Sequence, residues 1–140
     1  MLAKSHRLMA ASGAVLLGAP PLGIAAAVLG ATLPDRVEIV GLPHRGISHW
    51  PWPWALAVWF MTTQGNEWAS VVAWWFAGAL LHIGADMFTV GGIPLLLPNW
   101  RIRLGPLRTG EFGESLVVAV FVLAAVMHVL RLQLVRVGGP

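Results

Sequence analysis

The sequence predicts an all-α membrane protein, a small helical bundle of three to four transmembrane segments with the first segment broken at Pro20-Pro21. Three observations carry that prediction. The chain is 57% apolar and 11% charged, with a mean hydropathy of +0.74. Its 140 residues allow one integral membrane domain, 1–140, and a soluble domain of that size could not hide so much apolar surface. Eight Trp against no Tyr fit a protein anchored where indole sits well, at the membrane–water interface.

The same composition excludes other classes. With no Cys there are no disulfides and no thiolate metal sites. Nine Lys and Arg against six acids bear on membrane topology and anionic headgroups. No aromatic-and-basic groove pattern argues for RNA or DNA, so no nucleic-acid partner is expected. Membrane lipid is the expected surrounding, and the sequence gives no oligomeric state.

Residues 1–7 are a short basic head, and an apolar, Ala/Gly-rich stretch follows from Leu8 to Leu33. A cleaved signal peptide competes with a span here, but Pro20-Pro21 would fall in the middle of its apolar core. Pro inside a helix removes a hydrogen bond and clashes with the preceding turn. Two short helices, 8–18 and 21–31, are therefore expected, meeting at a kink or a reversal. A full span would put His6 and Asp35 on opposite faces of the membrane, whereas a reversal would return them to one side.

Thr32 to His49 holds Asp35, Arg36, Glu38, His44, Arg45 and His49, and Pro34, Gly41, Pro43 and Gly46 mark irregular backbone. Pro51 to Thr63 reads as a short helix of ~20 Å with its prolines in the first turn. Gln64 to Glu67 is a tight turn, and a third segment runs from Trp68 to Asp86. An antiparallel hairpin of these two segments brings the His49 loop and the end of the third segment to the same side. A Gly/Pro-punctuated connection, 89–113, is expected to lay Ile93 to Pro98 and Trp100 at the interface. Glu114 to Val135 is a plain transmembrane candidate, and His128 within it is read as a snorkelling residue outside any site.

The chemistry centres on His82 and Asp86. Four residues apart on a helix, they share one face and can share one divalent cation. They end an almost unbroken apolar run, where ionisable groups are disfavoured and usually mark a site. The same pair also fits a helix end emerging into water. The other polar residues at odds with the chain are His6, Asp35, Glu38, His44, His49 and Glu114, all His or carboxylate, the ligand set of zinc, manganese or iron. Nothing in the spacing singles out Ser48 as a nucleophile.

His6 in KSHRLMAASG, Asp35 in LPD, HRGISHW, HIGADMFTVGG, LLLP and TGEFGE together resemble the YdjM-like family of small bacterial inner-membrane proteins, labelled metal-dependent hydrolases. The resemblance covers residues 5–115 with the motifs in order. It implies His6, Asp35, His44, His49, His82 and Asp86 as metal ligands, and a multi-pass protein of the bacterial inner membrane. Val37 stands where the family carries a second Asp after Asp35, and Glu38 is the nearby carboxylate that would substitute. Glu114 matches a Glu near the start of the last helix. The family is in turn similar to zinc-dependent phospholipases C.

The function expected is therefore a membrane-embedded hydrolase with divalent metal, zinc first. Metal-activated water would attack an ester or phosphoester of lipid character, with Asp86, Glu38 or Glu114 as the base. The alternative is a non-catalytic structural or regulatory membrane protein, with a structural metal site or none.

Overall fold

In a computed structural model the chain is described over residues 1–38, 46–98 and 100–137, and it is mostly helical. In order it forms α1 (Ala3–Leu16), α2 (Pro21–Gly30), α3 (Leu33–Glu38), a 3₁₀ turn (Ile47–His49), α4 (Pro51–Thr63) and α5 (Glu67–Met87). A two-residue β1 (Ile93–Pro94) then pairs antiparallel with β2 (Arg101–Ile102), and α6 (Phe112–Val137) closes the chain.

The broken first segment reverses. Leu16 ends α1, Gly18 takes φ +77°, which suits glycine, and Pro20-Pro21 open α2 where a missing N–H costs nothing. Helix α5 is the axis on which the others pack. Its start is capped by Asn66, whose side chain accepts the Ala69 N–H at 2.8 Å. Gly23 lies at Trp74, Ala27 at Gly78 and Ala31 at His82, so α2 runs parallel to α5. These two helices meet backbone to backbone. A Cβ at Gly78 would strike the Ala27 carbonyl, and one at Gly30 the Trp75 carbonyl. Small residues permit such an approach in lipid, where van der Waals packing holds helices together.

Helix α1 runs the other way, with Gly13 against Leu81 and His6 beside His82 and Asp86. On its far side Met9 packs with Ala85 and Val118, tying α1, α5 and α6 together. Helix α4 lies antiparallel on another face of α5, with Trp54 and Phe76 in ring contact at 6.2 Å. Outward-facing apolar residues remain exposed, among them Trp52, Leu56, Trp59 and Phe60 on α4 and Leu116, Val120, Leu123 and Met127 on α6. Exposed apolar surface on that scale needs lipid rather than water.

Among the described residues two helices are long and apolar enough to cross a membrane, α5 and Phe112–Arg136 of α6. Helices α1, α2 and α4, at about 21, 15 and 20 Å, are shorter than the ~30 Å hydrocarbon core.

Three local expectations change. Helix α1 begins at Ala3 rather than near residue 8, because its entry is fastened: the Leu2 N–H donates to Glu114 Oε1 at 2.7 Å. Part of the stretch expected to be irregular is α3, with Pro34 in its first turn, where proline fits. Within the expected interfacial run, Ile93 and Pro94 are buried in β1, while Leu96, Leu97 and Trp100 are exposed. The backbone pairing of a small hairpin decides that division.

Candidate metal centre

Four elements deliver polar side chains to one end of the bundle. Helix α5 carries His82 and Asp86 on one face, α3 carries Asp35 and Glu38, the 3₁₀ turn carries Ser48 and His49, and the first turn of α1 carries His6. The hairpin of α1 and α2 makes the gathering possible, since it returns the start of α1 and the end of α2 to the same place. His6, His49, His82 and Asp86 are buried, while Asp35 is 47% exposed at the mouth. His44 lies outside the described residues.

The second layer fixes which nitrogens face inward. The His82 Nδ1–H donates to the Ala31 carbonyl at 2.7 Å, and a carbonyl can only accept. The His49 Nδ1–H donates to Glu38 Oε1 at 2.9 Å, and the Ser48 hydroxyl donates to the same oxygen at 2.9 Å. Both neutral rings therefore keep their lone pair on Nε2. Burial helps: it lowers the pKa of His49 to about 4, so that ring is uncharged at neutral pH.

The two Nε2 atoms lie 3.2 Å apart with no proton available to either ring between them. Asp35 Oδ1 is 3.6 Å from His49 Nε2 and 3.5 Å from His82 Nε2. Asp86 Oδ2 is 3.5 Å from His49 Nε2 and 3.8 Å from His82 Nε2. Lone pairs and carboxylate oxygens at such distances repel unless a cation sits among them. Donors about 2.0–2.1 Å from a tetrahedral zinc stand about 3.3 Å from one another. The triangle of Asp35, His49 and His82 has nearly those edges, and its second layer is the arrangement that metal-ligating histidines require. The residues fit a divalent cation.

A second group, His6, His82 and Asp86, shares two of its members with the first. His6 Nε2 lies 3.4 Å from Asp86 Oδ1, and its ring stacks on His82 with centroids 3.6 Å apart. The terminal amine of Met1 also reaches Asp86 Oδ1, at 3.2 Å.

The sequence matches the YdjM inner membrane protein family over residues 1–137. The chain belongs to that family. It is also similar to the uncharacterized protein YvsG of Bacillus subtilis (strain 168), 35% identical over 123 residues, which is 84% of this chain and 76% of that one. No solved structure matches it.

For this YdjM-family chain, the structure brings His6, Asp35, His49, His82 and Asp86 into contact distance of one another in overlapping groups. Glu38 stands one step back, on the outer nitrogen of His49. Glu114 belongs to neither group. It is 1% exposed, and its oxygens accept the N–H groups of Leu2 at 2.7 Å and Gly110 at 2.8 Å, with the Ser5 side chain bonded as well. It fastens the start of α1 to the start of α6. His128 is far along α6 and has no part in the centre.

Sequence reasoning missed Ser48 and the Ala31 carbonyl. Ser48 carried a signal, a hydroxyl directly before His49 in a Gly-led turn. Ala31 carried none, since any residue offers a carbonyl.

Proposed function

We propose that the protein is a membrane-embedded, metal-dependent hydrolase acting on an ester or phosphoester of lipid character. One observation carries the reading: two neutral imidazole nitrogens and a carboxylate oxygen converge at 3.2–3.6 Å beside a second carboxylate, with one member half exposed. Structural zinc sites are closed by four protein ligands, whereas catalytic ones keep a position open. The exposure of Asp35 marks the open side and favours catalysis over a purely structural metal.

Asp35, His49 and His82 would hold the ion, zinc first. Bound there, a divalent cation polarises a substrate oxygen and lowers the pKa of a water it binds. Of the three carboxylates suited to proton transfer, Glu38 orients His49 and Glu114 fastens two helices. Asp86 Oδ2 faces the triangle and is the acceptor for a proton from an attacking water. Glu38 and Ser48 keep the lone pair of His49 inward, and Ala31 does the same for His82.

Helices α5 and α6 cross the bilayer, and the α1–α2 hairpin and α4 enter it partway. The metal-bearing end then lies at the headgroups, where a lipid ester or phosphoester arrives without leaving the membrane.

Purified protein loaded with zinc in mixed phospholipid–detergent micelles is expected to release acid or phosphate from one or more of a panel of glycerophospholipids and lipid phosphates. Chelation should stop turnover, zinc should restore it, and His49→Ala should lack it. No turnover of any panel member at full metal loading would count against a hydrolase.

A further inference from the structure

The first group of donors uses up His82. Its Nδ1–H is committed to Ala31, so only Nε2 can bind an ion, and that atom already forms the triangle with Asp35 and His49. His6 therefore cannot share an ion with His82 merely by standing near it.

The stacking of the two rings decides the matter. Their centroids are 3.6 Å apart and their planes differ by 15°. An imidazole lone pair lies in the plane of its ring, so two stacked rings send their lone pairs out in nearly parallel planes. Such planes do not meet at one ion held at ~2 Å from each nitrogen. They reach two positions, separated by roughly the ring spacing. Both Nε2 atoms point to the same side, since each lies near the Asp86 carboxylate: His6 at 3.4 Å from Oδ1 and His82 at 3.8 Å from Oδ2. Asp86 thus turns Oδ1 toward the position at His6 and keeps Oδ2, the proton acceptor of the proposed chemistry, toward the other. Paired-ion centres work at about 3.5–4 Å between ions, close to the stacking distance.

We propose that His6 and Asp86 Oδ1 form a second, weaker divalent-cation position beside the one held by Asp35, His49 and His82. This deepens the reading of the site as a metal-dependent hydrolase and rests on it. Two protein donors leave the second position open on several sides. A substrate with more than one anionic oxygen can close it, and that selects phosphoesters over carboxylic esters as the substrate class. A positive group already seats on this oxygen, the Met1 ammonium at 3.2 Å, and it competes with the ion for the place.

His6 is 3% exposed, and among the described residues its Nδ1 is the buried side-chain nitrogen without a hydrogen-bond partner. A ring buried at that cost, with its other nitrogen on Asp86, is placed for binding rather than for solvent.

Equilibrium dialysis of metal-stripped protein against graded zinc, followed by elemental analysis, tests the proposal. Intact protein is expected to take up two ions with unequal affinity, and His6→Ala one, at the affinity of the tighter. The retained ion reports that the variant is folded. One ion in both proteins would overturn the second position and leave the first standing, as would two ions in both. Loss of all metal from His6→Ala and His6→Gln alike would put His6 in a single shared centre and overturn the proposal. No ion in the intact protein would overturn the hydrolase reading as well.

Discussion

Asp86→Ala is expected to empty the metal centre while the helical bundle still assembles. The side chain is 2% exposed and stands between both donor groups, with Oδ2 toward His49 and His82 and Oδ1 toward His6. Removing it takes negative charge from beside the ion and from among three imidazoles, so the cation loses a buried electrostatic partner. The helix packing does not rest on Asp86 alone, because α2, α1 and α4 also meet α5 through Gly78, Leu81 and Phe76. The variant should purify in normal yield with its helical circular dichroism intact. Zinc affinity measured by dialysis should fall by at least about tenfold, the lower end of what even outer-layer changes cost. Metal content equal to that of the intact protein would contradict the assignment.

The second large effect concerns orientation. If α5 and α6 both cross, the reversing α1–α2 hairpin and the connection between the two spans put Lys4, Arg7, Arg36, Arg101, Arg103 and Arg108 at the end that carries the His/Asp cluster. Among the described residues Arg131 and Arg136 are the cations at the opposite end of α6. Six against two is a decisive asymmetry for the positive-inside rule, which places the metal centre in the cytoplasm and the C-terminus outside. A C-terminal alkaline phosphatase fusion, active only after export, should be active. A fluorescent-protein fusion at the same point should stay dark. The reverse pair of results would mean that the arginines are kept for an anionic substrate rather than for topology.

How much of this was legible in the chain depends on whether a signal was local. Helix α4 spans Pro51–Thr63 as read, because two prolines open it and a polar turn with Gly65 at φ +66° closes it. The pairing of His82 with Asp86 was legible because helical spacing is fixed. The reversal at Pro20-Pro21 was legible only as an option, since a proline pair fits a kinked span as well as a hairpin. What decides it is tertiary: Gly23, Ala27 and Gly30 lie against α5. Asp35 and Glu38 could be named, but not their division of labour. One turn of α3 puts Asp35 on the inner nitrogen of His49 and Glu38 on the outer one. Glu114 shows the limit. A carboxylate at a helix start reads alike as ligand, base or fastener, and only the Leu2 and Gly110 N–H groups on its oxygens tell them apart.

The central claim is that a divalent cation sits among His and carboxylate at the metal-bearing end of the bundle, and X-ray absorption at the zinc edge tests it most directly. Protein loaded with one zinc per chain should show a first shell of nitrogen and oxygen only, near 2.0–2.1 Å, with the outer-shell scattering of two imidazoles. Replacing His49 by alanine should remove about half of the imidazole signal. A zinc shell without imidazole scattering, or protein that holds no zinc after dialysis, would contradict the account.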